Sequence, residues 1–291
     1  MTLGEKRLRT WSRRALVGLL VLGFLIPAPT PVLALNADLA IGCTILGVIT
    51  TPLIAYGLWK NLPQNQGKES FFKGEFYVGG YLGAAFTPGQ DLKYSDGFSL
   101  NNGVTRTNQG AATLFNNPFQ PAVVGGLKFG YFCYRFPYLG LEVDTSVNKS
   151  NVPRTTLSTS RPINGFTAVG IQNDPWTNWT TALHIVGRYG FLPDQQVPFG
   201  RLQPYVGVGP GFVVNYDSVD SAKNFGVDVM AGVRYMMLKN VSAFVEYKFN
   251  FVWDAEIEAH AFYLPDGTVC RGTAHLDYAS HKIVLGVAYH F

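Results

Sequence analysis

Eight segments between Glu75 and Phe291 alternate apolar with small or polar residues at a period of two, and this alternation limits the possible folds more than any other feature of the chain. The segments are 75–86, 122–133, 138–148, 179–191, 202–216, 224–237, 241–251 and 278–291, with turn-forming residues between them. No stretch of this region carries a helical period. The pattern predicts an all-β fold with an even number of strands.

Alternation alone suits a sandwich as well as a barrel, because a sandwich buries its apolar face. The final segment, "KIVLGVAYHF", tips the balance. Ile283, Leu285, Val287, Tyr289 and Phe291 share one parity, while Lys282, Val284, Gly286, Ala288 and His290 take the other. An unanchored terminus ordinarily frays in water, and this one is built to be held. Its five apolar positions, at ~3.3 Å per residue and a ~40° tilt, span roughly 23 Å, close to the apolar thickness of an outer membrane. Composition agrees: 14% of residues are charged, 14% are aromatic, and 32 are glycine, which ill suits a surface facing only water. These features predict a transmembrane barrel with lipid outside and polar side chains inside.

Residues 1–34 read as a secretory signal peptide: Lys6, Arg7, Arg9, Arg13 and Arg14 precede the apolar run "ALVGLLVLGFLI", and Ala34 suits cleavage. Without them, 23 basic residues lose 5 and 19 acidic residues lose 1, leaving 18 of each and a net charge of zero. Nucleic-acid binding then has no electrostatic support. Residues 35–74 hold a hydrophobic segment (39–59), expected to be helical, and the flexible link "NLPQNQGKES"; the barrel is expected over 75–291. The three cysteines, Cys43, Cys133 and Cys270, are too few and too scattered for a disulfide framework.

Connections at 134–137, 192–201 and 238–240 are short to moderate, and they alternate with long ones at 87–121, 149–178 and 252–277. Short periplasmic turns and long outer loops are the usual arrangement in such barrels. The segments "GEFYVGGYLGAAF", "PYVGVGPGF", "AGVRYMMLKNVSAFVEYKF" and "IVLGVAYHF" resemble the OmpA-type superfamily of eight-stranded outer-membrane barrels, over about residues 75–291. The resemblance implies an eight-stranded antiparallel up-and-down barrel, monomeric and anchored in the bacterial outer membrane. It also implies that Leu285, Val287, Tyr289 and Phe291 form the signal read by the barrel assembly machinery. Its expected partners are therefore that machinery and outer-membrane lipid, with no cofactor.

Parity sends Lys128, Glu142, Asp144, Arg188, Asp228, Arg234, Glu246 and Lys248 into the lumen. In the hairpin 122–148, Lys128 falls opposite Glu142 or Asp144; in the hairpin closed at 238–240, Arg234 falls opposite Glu246 or one step from it. Eight strands leave room only for side chains, so these charges are expected to pair as a plug. Three motif-like stretches are set aside. "GVGPG" precedes no helix, as a nucleotide loop would require. His260, Cys270 and His275 match no metal spacing. Ser280 and His281 point to opposite faces of one strand and cannot act as a nucleophile and base. The expected role is a non-enzymatic surface barrel with polar outer loops, the alternatives being a small pore or a lipid-modifying enzyme.

Overall fold

The computed structural model describes residues 74–103, 106–216 and 221–291. The signal peptide, the hydrophobic segment with its link, and Cys43 lie outside the described residues. In chain order the strands are β1 (Gly74–Phe86), β2 (Gln90–Tyr94), β3 (Phe98–Asn101), β4 (Arg106–Gln109), β5 (Ala112–Asn117), β6 (Ala122–Cys133) and β7 (Leu139–Val152). Then come β8 (Thr155–Ile163), β9 (Phe166–Ile171), β10 (Asp174–Arg188), β11 (Leu202–Tyr216), β12 (Ser221–Leu238), β13 (Val241–Tyr263) and β14 (Val269–His290).

Eight of these close a ring. β1, β6, β7, β10, β11, β12, β13 and β14 pair antiparallel in that order, and β14 returns to β1 through a register running from Tyr77 opposite His290 to Phe86 opposite His281. Closure removes every free edge from this ring, as strands in hydrocarbon require. One rim carries residue 74, the C-terminus and the connections 134–138, 189–201 and 239–240. In the longest of these, Asp194 accepts hydrogen bonds from the amides of Gln196 (2.9 Å) and Val197 (2.7 Å). It also accepts one from the Arg201 guanidinium, which holds its carboxyl below the usual range.

The opposite rim departs from expectation. Stretches 87–121, 149–178 and 252–277 are largely strand: β2 to β5, β8 and β9 join the prolonged ends of β7, β10, β13 and β14 in an outer extension. The stretch "NNGVTRTNQGAATLFNNPF" is polar in composition, yet Ala112 and Leu114 are buried within it. Short two-residue alternations supply one apolar face each, and pooled they build a core with Leu92, Tyr94, Phe98, Val169, Ile171, Phe262 and Leu276. The fourth segment is also shifted: β10 ends at Arg188, and Phe191 reaches Leu202 only through an isolated bridge.

The ring is polar within and apolar without. Leu82, Val123, Phe225 and Leu285 are 66–76% exposed on the outer surface, whereas Lys128, Glu142, Arg234 and Glu246 are at most 1% exposed in the lumen. Water would penalise both placements. Lipid outside removes the first penalty, and pairing inside offsets the second.

Candidate functional site in the lumen

Four aromatic residues on the lumen face each stand opposite a glycine of the neighbouring strand: Tyr77 with Gly130, Tyr81 with Gly126, Tyr205 with Gly232, and Phe244 with Gly286. The glycines are what admit the rings. A Cβ on Gly130 would sit 2.2 Å from Tyr77 Cζ, and one on Gly126 2.3 Å from Tyr81 Cζ. Each ring therefore lies over a neighbour that has no side chain, and the hydroxyls of Tyr77, Tyr81 and Tyr205 reach carboxylates in the lumen.

The charges assemble around those hydroxyls. Lys128 Nζ donates to Glu142 Oε1 (3.0 Å) and Glu246 Oε2 (2.7 Å), joining β6 to β7 and, across the lumen, to β13. Tyr205 donates to the same Glu246 oxygen (2.7 Å), and Tyr77 donates to Glu142. The Lys128 ammonium also lies 4.7 Å from the Phe244 ring centre. A second layer follows, in which Lys248 pairs with Asp144, and Tyr81 donates to Asp144 (2.7 Å). His184 Nε2 meets Asp228 Oδ1 at 2.8 Å, and the Asn250 amide donates to the other Asp228 oxygen at 3.4 Å.

The rim with the short connections has its own closure. Arg188 grips Glu75 through two nitrogens (3.0 and 2.6 Å), donates to Gln203 (3.1 Å) and to the Pro137 carbonyl (2.9 Å), and stacks between Phe132 and Phe199. A planar guanidinium serves both a bidentate grip and ring stacking, which an ammonium could not do. His290 bridges Glu75 (2.6 Å) and Ser242 (2.8 Å).

The eight lumen residues expected from parity are all buried in the ring. Lys128 lies opposite Asp144 in register and bonds to the flanking Glu142, so both residues considered for it take part in the layers. Arg234 lies opposite Phe244, with Glu246 one diagonal step away and opposite Gly232. Its guanidinium packs over Tyr77 (4.3 Å) and Tyr205 (5.2 Å), and Tyr205 in turn binds Glu246, so an aromatic ring links the two charges. Sequence reasoning missed Glu75, the three tyrosines, His290 and Lys282. An inward tyrosine facing an inward glycine across a hairpin is the signal that would have found the rings.

The residues set aside earlier stay apart. His260 bonds to the Tyr94 hydroxyl (2.7 Å), His275 to Asp254 (3.2 Å), and Cys270 is buried opposite Phe262. Among the described residues no cluster of three or more His, Cys, Asp or Glu side chains could hold a metal ion. Ser280 is buried in the lumen, and His281 on the outer face accepts or donates a hydrogen bond with Tyr247 (2.6 Å).

A closed antiparallel ring, apolar towards its surroundings and filled with paired charges, defines an integral outer-membrane barrel. The chain belongs to the outer membrane protein beta-barrel domain family, whose model matches residues 62–291, and its place is the bacterial outer membrane. Among solved structures it is similar to the outer membrane protein OprG from Pseudomonas aeruginosa, at 14% identity and a TM-score of 0.44, covering 76% of this chain and 97% of that one. Neisserial surface protein A aligns at 15% identity and a TM-score of 0.39, over 75% of this chain and all (100%) of the other. The outer membrane protease OmpT from Escherichia coli aligns at 11% and 0.36, over 75% and 97%. No curated protein matches the sequence.

Proposed function

We propose that this chain is a non-enzymatic surface barrel whose lumen is a structural plug and whose folded outer extension meets the surroundings or a partner. The observation that carries the reading is Lys128, fully buried and held by carboxylates from two sides of the lumen. Opening a path there would separate three ions in a dry site, each separation costing several kcal/mol. The apolar core of the outer extension supports the same reading, since it covers the lumen from the far side with a packed body. Outer-membrane lipid and the assembly machinery, reached through Leu285, Val287, Tyr289 and Phe291, complete the proposed partners of a monomer.

Conductance of refolded protein in planar bilayers tests the proposal. The expected trace is flat, with rare short events. A steady current in the wild type would overturn the plug and favour the pore, in which charge removal alters ion selectivity. A lipid-modifying activity has no support in the placement of Ser280 and His281, and unchanged lipid A masses after expression are the expected result.

A further inference from the structure

The lumen contains two neighbouring lysines and only one carboxylate in contact with them. Lys248 and Lys282 are directly opposite in the β13–β14 register and both point inward, so like charges face one another. Lys248 has Asp144. Lys282, 1% exposed, has two hydroxyls: it donates to Ser146 Oγ and Thr180 Oγ1, each at 3.2 Å, and among the described residues no carboxylate lies within 4.0 Å of it. The carboxylate nearest in role, Asp228, is taken by His184 on one oxygen and Asn250 on the other.

The surroundings of Lys282 are buried, polar and incompletely paired. Ser146 and Thr180 are opposite one another on β7 and β10, with Asn148 and Asn178 next along the same face. Thr180 donates its hydroxyl proton to Asn178 (2.9 Å), while Asn178 donates to Asn215. Asn148 Oδ1, Asn215 Nδ2 and Asn250 Oδ1 find no hydrogen-bond partner although these residues are at most 1% exposed. Buried polar atoms of native proteins are almost always satisfied, by protein, by ordered water or by a ligand. The two carbonyl oxygens call for donors such as water, and the Asn215 amide and the Lys282 ammonium call for acceptors, of which an anion also supplies the missing counter-charge.

We infer that Lys282, Ser146 and Thr180 form a binding site for one small monovalent anion of halide size. The ammonium and the Ser146 hydroxyl proton supply the donors, and bound water completes the shell and links it to the asparagine carbonyl oxygens. The anion gives Lys282 the contact counter-charge that Asp144 gives Lys248. The site rests on the sealed lumen proposed above, and the two fail separately: a conducting barrel refutes the seal, and an unloaded Lys282 refutes the site.

Crystals grown in bromide and phased near its absorption edge give the direct reading. The expected result is an anomalous peak within hydrogen-bond distance of Lys282 Nζ. Water density there with no anomalous signal would overturn the inference. In solution, replacing gluconate by chloride at equal ionic strength should raise the thermal midpoint of the refolded barrel by about 2–4 °C. Lys282→Met should abolish that rise, and an unchanged rise in this variant would also overturn the site. Ser146→Asp, which builds a carboxylate beside the ammonium, covers the case in which Lys282→Met does not fold. It should raise the midpoint in gluconate and remove the chloride response; a chloride response equal to wild type would count against the site.

Discussion

Replacing Lys128 by Met removes the cation that joins Glu142 and Glu246, and the predicted cost exceeds that of losing either carboxylate. At an effective dielectric near 20, unit charges 2.7 and 3.0 Å apart attract by roughly 6 kcal/mol each, against a desolvation penalty of several kcal/mol per ion. The intact trio is therefore near balance. Without Lys128 both carboxylates keep their desolvation penalty and lose their closest cation, retaining the Tyr77 and Tyr205 hydroxyls and, for Glu142, the His184 ring at 4.0 Å. A loss of ~3–5 kcal/mol or more follows. Glu246→Gln leaves Lys128 paired with Glu142, so ~1–3 kcal/mol is expected. The double variant strands one carboxylate where Lys128→Met alone strands two, so its cost should fall short of the sum by ~1–3 kcal/mol. Urea unfolding of the refolded barrel, followed by heat-dependent gel mobility and tryptophan emission, measures all four corners of the cycle. Additive changes each below about 1 kcal/mol would mean that water already fills the layer, and the dry plug would be refuted.

Three other outcomes follow from the same coordinates. Gly130→Ala places a Cβ 2.2 Å from Tyr77 Cζ, and urea unfolding should show a loss of ~1–3 kcal/mol, whereas Gly187→Ala, which meets nothing within 4 Å, should be close to neutral. His260, in the outer extension, has its pKa lowered by burial; the unfolded chain therefore takes up the proton first, and stability held above ~pH 6.5 should decline as pH falls through that value. Proteolysis of the extension at pH 7.5 and 5 tests this, and His260→Gln should flatten the difference. Removing Phe291, whose amide binds the Phe76 carbonyl at 2.8 Å and whose ring packs 5.1 Å from Tyr289, should sharply reduce the heat-modifiable, membrane-inserted fraction in cells; wild-type levels would refute its role in assembly.

The ring was legible in the sequence because lipid and lumen enforce the period of two on every residue of every crossing. Leu183, His184, Ile185 and Arg188 announce their faces by parity alone, since a one-residue slip would put a charge in hydrocarbon. The outer extension gave no such signal. There water replaces lipid, the outward residue is unconstrained, and only one short apolar face per strand is fixed, as in buried Ala112 and Leu114 on either side of half-buried Thr113, with the aromatic Phe115 exposed. Strands of four to six residues then read as loop. The lumen lies between these cases. Which residues enter it follows from parity, but which of them touch depends on the stagger of strands around the ring. That is why Lys128 meets Glu246 118 positions away in sequence, a contact no hairpin register could predict. The same stagger puts Lys282 beside Ser146 and Thr180 across the lumen, although its register neighbours are Lys248 and Ala85. In a closed barrel, the charges that a strand carries are thus fixed locally, and their partners are fixed only by the circumference.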